Sequence, residues 1–79
     1  MDRQLLDRIE INPQIMMGKP VIKGTRIPVE MILKKLAHAI SVATILRDYP
    51  RVTEEDIKAA VFYAAEMLES TVTYDLTEA

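Results

Sequence analysis

No cysteine occurs among the 79 residues, so disulfides, thiolate zinc sites and cysteine nucleophiles are excluded. A single histidine excludes a histidine cluster. No run approaches the roughly 18 apolar residues that a membrane span needs. The segment from Met1 to Arg8 has neither an apolar h-region nor a cleavage pattern, so the cytosol is the expected compartment. Aromatic residues make up only 5% of the chain. Repeats and low-complexity stretches are lacking too.

What is present is an aliphatic chain, 49% apolar and 28% charged, which is a globular composition. At this length one small domain is expected, burying about 60% of its unfolded surface. Such a core is marginal without a supplement. With disulfides and clustered ligands excluded, a second chain is the expected supplement. The net charge of −2 conceals a split. Residues 1–52 carry nine Lys/Arg and five Asp/Glu, and residues 53–79 carry one Lys and seven acids. A basic part followed by an acidic part marks either two partners of opposite sign or a sorted solvated surface.

The hydrophobic period changes along the chain. Arg8-Ile9-Glu10-Ile11 alternates as a half-buried strand does, and Asn12-Pro13 ends it as a turn. Val21-Ile22 and Thr25-Arg26-Ile27 flank Lys23-Gly24 and read as a hairpin with a two-residue connection. After Pro28 the period becomes 3.6. Val29, Ile32, Leu33, Leu36, Ala37 and Ile40 predict a first helix over about 28–39. Ser41 caps a short second helix with Val42, Ile45, Leu46 and Tyr49 on one face, and Pro50 stops it. Thr53 caps a third helix, whose buried stripe is read as Ile57, Ala60, Val61, Ala64, Ala65 and Leu68. From Ser70 the helical pattern ceases. Val72, Tyr74 and Leu76 alternate with polar residues and read as a strand that pairs with the N-terminal strands, pairs with another chain, or orders only on binding.

The expected fold is therefore mainly α: a three-helix, homeodomain-like helix-turn-helix core behind a short N-terminal β segment. Residues 1–27 are the β segment, 28–69 the helical core and 70–79 a strand-like tail. These elements use nearly the whole chain and leave no room for a pocket holding catalytic groups.

Few residues suggest chemistry. Gly18-Lys19 precedes Gly24-Thr25, the reverse of the order a phosphate-binding P-loop requires, and Pro20 follows the lysine. His38 falls near the end of the first helix, where a cation suits the dipole, and has no second ligand one turn away. Glu54, Glu55 and Asp56 point about 100° apart and complement the helix N-terminus rather than converge on a metal. No nucleophile, base and orienting group come together, so an enzyme is not expected and neither a cofactor nor a small-molecule substrate is implied.

The helix-turn-helix order raises DNA, but acidic residues occupy the end of the third helix that faces base edges in such folds. Candidate DNA contacts are therefore backbone-directed cations: Lys19, Lys23 and Arg26 on the β segment, Arg47 and Arg51 around the turn, and Lys58. Phe62 lies off the apolar stripe of the third helix. It reads either as a half-buried ring under the N-terminal segment or as an interface anchor. Val72, Tyr74 and Leu76 are the other candidate partner contacts.

The segment Gly18-Lys19-Pro20-Val21-Ile22-Lys23-Gly24-Thr25-Arg26-Ile27-Pro28-Val29 resembles a known bacterial family. So do Ile45-Leu46-Arg47-Asp48-Tyr49-Pro50, Thr53-Glu54-Glu55-Asp56-Ile57, Ala59-Ala60 and Tyr63-Ala64. Over about residues 8–66 the chain is similar to domain-of-unknown-function family 433. The resemblance implies a homeodomain-like core behind a β segment. It also implies an antitoxin-like role, encoded beside a toxin with a PIN-like nuclease fold. The charge split, the helix-turn-helix order and the alternating tail point to a homodimer that binds promoter DNA weakly, whereas the acidic start of the third helix points to a protein-interaction module with no DNA role. It brings no assigned functional residues. The family usually has Gly where this chain has Ala39. Ala costs about 1 kcal/mol in a left-handed C-cap, so a differently built turn is expected.

Overall fold

The computed structural model describes residues 3–71. The elements run α1 (Arg3–Leu6), β1 (Ile9–Glu10), β2 (Val21–Ile22), α2 (Val29–Ala37), α3 (Val42–Asp48) and α4 (Glu54–Thr71). The fold is mainly helical with one small antiparallel sheet, in which Ile9 pairs with Ile22 and Glu10 with Val21. The expected strand, turn and three helices are all present, and α1 precedes them as one extra turn.

The core lies where β2, α2, α3 and α4 meet. Ile22, Val29, Ile32, Ile45, Val52, Ile57 and Ala60 form one buried cluster. Tyr49 and Tyr63 pack against its edge. The helix starts follow from local chemistry. Ser41 Oγ accepts from the Thr44 amide at 3.1 Å, closing α3's first turn. Thr53 Oγ1 accepts from the Asp56 amide at 3.1 Å, and Asp56 Oδ2 accepts from the Thr53 amide at 2.9 Å. This reciprocal pair is a capping box with Asp in the place of Glu.

Four local expectations are corrected. The hairpin is not closed by two residues. Ile22 N–H donates to Ile27 O at 2.9 Å and Val29 N–H to Pro20 O at 2.9 Å, so Lys23 to Arg26 form a four-residue loop. Within it Gly24 adopts φ +81° and Thr25 N–H donates to Ile22 O at 3.0 Å. A left-handed third residue is what a type II turn demands, and that turn splays strands rather than pairing them tightly. Pro28 also lacks a donor for the second arm. The ladder partner of β2 is β1 instead.

The α2–α3 turn is not rebuilt around Ala39. Ala39 takes φ +64°, with its N–H on Leu36 O and the Ile40 N–H on Lys35 O, each at 3.0 Å. That is a Schellman closure with alanine in the left-handed seat. His38 stands at the C-cap and its Nδ1–H donates to Lys34 O at 2.7 Å.

The helical backbone of α4 continues through Ser70 to Thr71, past the boundary drawn at 69. Finally, its buried stripe is displaced. Ala59 and Ala60 are buried with Ile57, whereas Val61 is 46% and Leu68 65% exposed, and Ala65 is exposed too. Helical spacing alone places Val61, Ala64 and Leu68 with Ile57. The cluster from β2, α2 and α3 buries Ile57 and Ala60 and reaches Tyr63, and the N-terminal segment packs on α4 as well, while Val61 and Leu68 stay outside.

Candidate functional site

The cations divide by their partners. Lys19 Nζ lies 2.9 Å from Glu30 Oε2, and both side chains are about half-exposed. Lys58 Nζ reaches Glu55 Oε1 at 3.6 Å on the same face of α4. Arg47 Nε is 3.6 Å from Asp48 Oδ1, on a side chain 76% exposed. Lys35 Nζ stands 5.5 Å from the centre of the Tyr49 ring, in a cation–π contact. Among the described residues no carboxylate pairs with Lys23, Arg26 or Arg51, all three exposed.

Tertiary structure brings two of those three together. Arg26, at the end of the hairpin loop, and Arg51, in the α3–α4 turn, line one open cleft of about 420 Å³ with Glu10, Ile15 and Thr25. The cleft lies between the hairpin loop and the α3–α4 turn. The loop is stiffened by Thr25, whose Oγ1 donates to Ile22 O at 2.7 Å and accepts from the Ile27 amide at 3.0 Å. Two arginines lining one cleft favour an anion, and Glu10 limits how much negative charge the cleft accepts.

The remaining candidates lie apart from this cleft. Lys19 belongs to the opposite groove, where Pro20, Val29, Leu33, Tyr63 and Leu68 enclose about 350 Å³ between α2 and α4. Lys58 and Arg47 are on separate exposed helix faces. Phe62 is half-buried. Val72, Tyr74 and Leu76 lie outside the described residues.

Sequence reading missed the role of Asp56. It is 6% exposed, and besides the capping box its Oδ1 accepts from Arg8 Nη1 at 3.1 Å. The cap was legible from Thr53-Glu54-Glu55-Asp56, but the arginine lies 48 positions away and no local pattern signals it. Among the described residues no group of His, Asp and Glu is placed to hold a metal, and no helix is long and apolar enough to cross a membrane.

Residues 9–64 match the model of a protein family of unknown function, DUF433. The chain belongs to the DUF433 family. The fold agrees: a DUF433 member from Anabaena variabilis superposes with a TM-score of 0.75 at 31% identity. That superposition covers 86% of this chain and 67% of that one. An uncharacterized protein of Sinorhizobium fredii is 38% identical over 53 residues, 67% of this chain. The match spans only 24% of that relative's length. An uncharacterized protein of Archaeoglobus fulgidus is 56% identical over 25 residues, 32% of this chain and 69% of its own. The DUF433 match begins at β1 and ends in α4, so it contains both the Arg26–Arg51 cleft and the capping box.

Proposed function

We propose that this DUF433 chain is a non-catalytic, antitoxin-like regulator. It acts as a homodimer that binds the sugar-phosphate backbone of promoter DNA through its basic part. Its acidic C-terminal third holds a PIN-like toxin, with Val72, Tyr74 and Leu76 as the clamp. The observation that carries this reading is the cleft lined by both Arg26 and Arg51, neither paired with a carboxylate among the described residues, from two distant parts of the chain. Lys23 on the same loop extends the positive surface. The basic excess of residues 1–52 and the acidic excess of residues 53–79 support a molecule with two partners of opposite sign.

The test is a salt titration of binding to the DNA upstream of the gene, with wild type and the double variant R26A/R51A. Each lost phosphate contact lowers the slope of log affinity against log salt by about 0.9. A shallower slope by one to two units in the variant supports the reading, and no binding at ~50 mM salt removes its DNA half. Deleting residues 70–79 tests the clamp by co-purification with the neighbouring gene product; unchanged capture removes the tail.

A second reading, a homodimeric protein-interaction module without DNA, is favoured by Glu54 and Glu55. Both are exposed at the start of α4, where a recognition helix meets bases. Toxin capture together with no DNA binding at any salt selects it.

A further inference from the structure

The exposed apolar stripe of α4 is arranged to fit a second copy of itself. Val61 and Leu68 are 46% and 65% exposed, with Ala64 and Ala65 between them. At 100° per residue the four fall within an arc of about 100°, centred about 90° from Ala60, and its Ala64 and Leu68 also line the α2–α4 groove with Tyr63. Their order is symmetric. Val61 and Leu68 each stand about 3.5 positions from the midpoint between Ala64 and Ala65. The charges repeat the symmetry: Lys58 and Glu69 lie on one flank of the stripe, about 20° apart in projection, on opposite sides of that midpoint.

We propose that two copies of the chain pair through α4, antiparallel, about a twofold axis between Ala64 and Ala65. This rests on the homodimer in the reading above and gives it a surface. The arrangement seats Val61 on the partner's Leu68 and Ala64 on the partner's Ala65, so the alanines let the helix axes approach to about 8 Å. In an antiparallel pair the same flanks meet, so Lys58 of each copy lies beside the partner's Glu69. A parallel pair would instead set opposite flanks together, so Lys58 would not face the partner's Glu69. Antiparallel helix dipoles also attract. The interface is isologous, as closed dimers require.

The natural absence of cysteine makes the geometry directly measurable with single cysteines in the full chain. A65C, near the axis, is expected to cross-link to itself on oxidation. V61C and L68C alone are not, because seven residues along a helix separate each from its copy by about 10 Å, beyond disulfide reach. A mixture of V61C and L68C should cross-link. Mass in solution, followed up to about 0.5 mM because a single helix pair is smaller than a standard interface, should rise from monomer toward dimer. L68E should move that transition at least tenfold higher in concentration. A wild-type chain that stays at monomer mass overturns the dimer itself. A dimer that survives L68E, or V61C that cross-links alone better than the mixture, leaves the dimer standing and overturns this face or its direction. A chain ending at residue 71 that dimerises when the full chain does not assigns the stripe to the chain's own C-terminal segment, and also overturns the proposal.

Discussion

Arg8 and Asp56 sit 48 positions apart in sequence, and their side chains meet at 3.1 Å. The pair ties the residue before β1 to the first turn of α4. Asp56 is 8% exposed in its side chain and Arg8 43%, so the carboxylate is sheltered while the guanidinium keeps much of its water. One carboxylate thus caps a helix with one oxygen and fastens the N-terminal segment to it with the other.

Asp56→Ala should therefore cost more than a cap alone, about 2 kcal/mol against the usual ~1. Arg8→Ala should cost less, because half-exposed pairs are worth about 1 kcal/mol at most. Urea unfolding of R8A, D56N and the double variant should give a coupling energy of about 0.5–1 kcal/mol. Additive effects would show that the contact contributes nothing.

Ala39→Gly should stabilise the fold. The native φ of +64° disfavours a Cβ and suits glycine. The expected gain is about 1 kcal/mol, read as a rise of several degrees in melting temperature for a domain of this size. Ala39→Val should instead lower the melting temperature, because a β-branched side chain fits the left-handed region worse than a methyl group.

Core and stripe substitutions should separate. Ile32 is 0% exposed within the buried cluster, so Ile32→Ala should cost about 2–5 kcal/mol, a large share of the stability of a domain this small. Leu68→Ala should leave the unfolding free energy of the dilute chain within about 0.5 kcal/mol. Comparable losses from the two would restore Leu68 to the core.

The Lys19–Glu30 pair gives a pH signature. The hydrogen bond from Lys19, with its charge, holds the Glu30 carboxyl below its ordinary 4.5. A depressed carboxyl contributes stability above its unfolded value and loses it as pH falls through the lowered folded value. Melting temperatures of wild type and Glu30→Gln should differ slightly at neutral pH and converge as pH drops well below 4.5. High salt should shrink the neutral-pH difference, since both groups are exposed.

Much of this fold could be read locally. Ser41 and Thr53 are helix caps wherever such helices begin, because a side-chain oxygen must satisfy amides that have no helical partner. The apolar spacing of α2 and α3 fixed their inward faces in the same way. The candidate site was legible only as a list of cations. Sequence could not say that Lys19 and Lys58 meet carboxylates while Arg26 and Arg51 do not, since those pairings depend on which surfaces fold together.

The sequence by itself determined the three main helices and their caps, the charge split and the exclusion of disulfide and thiolate chemistry, because each follows from residue type and short-range spacing. Only the tertiary structure decided which side of α4 is buried. That helix has apolar residues around much of its circumference, so the stripe read from its period, with Val61, Ala65 and Leu68 inward, is not the buried one. Packing of β2, α2, α3 and the N-terminal segment settled the choice, burying Ile57 and Ala60 and leaving Val61 and Leu68 exposed. The same packing set Asp56 within reach of Arg8, and the hairpin loop put Arg26 on the cleft that Arg51 also lines. These contacts join residues too far apart in the chain for any local rule to connect.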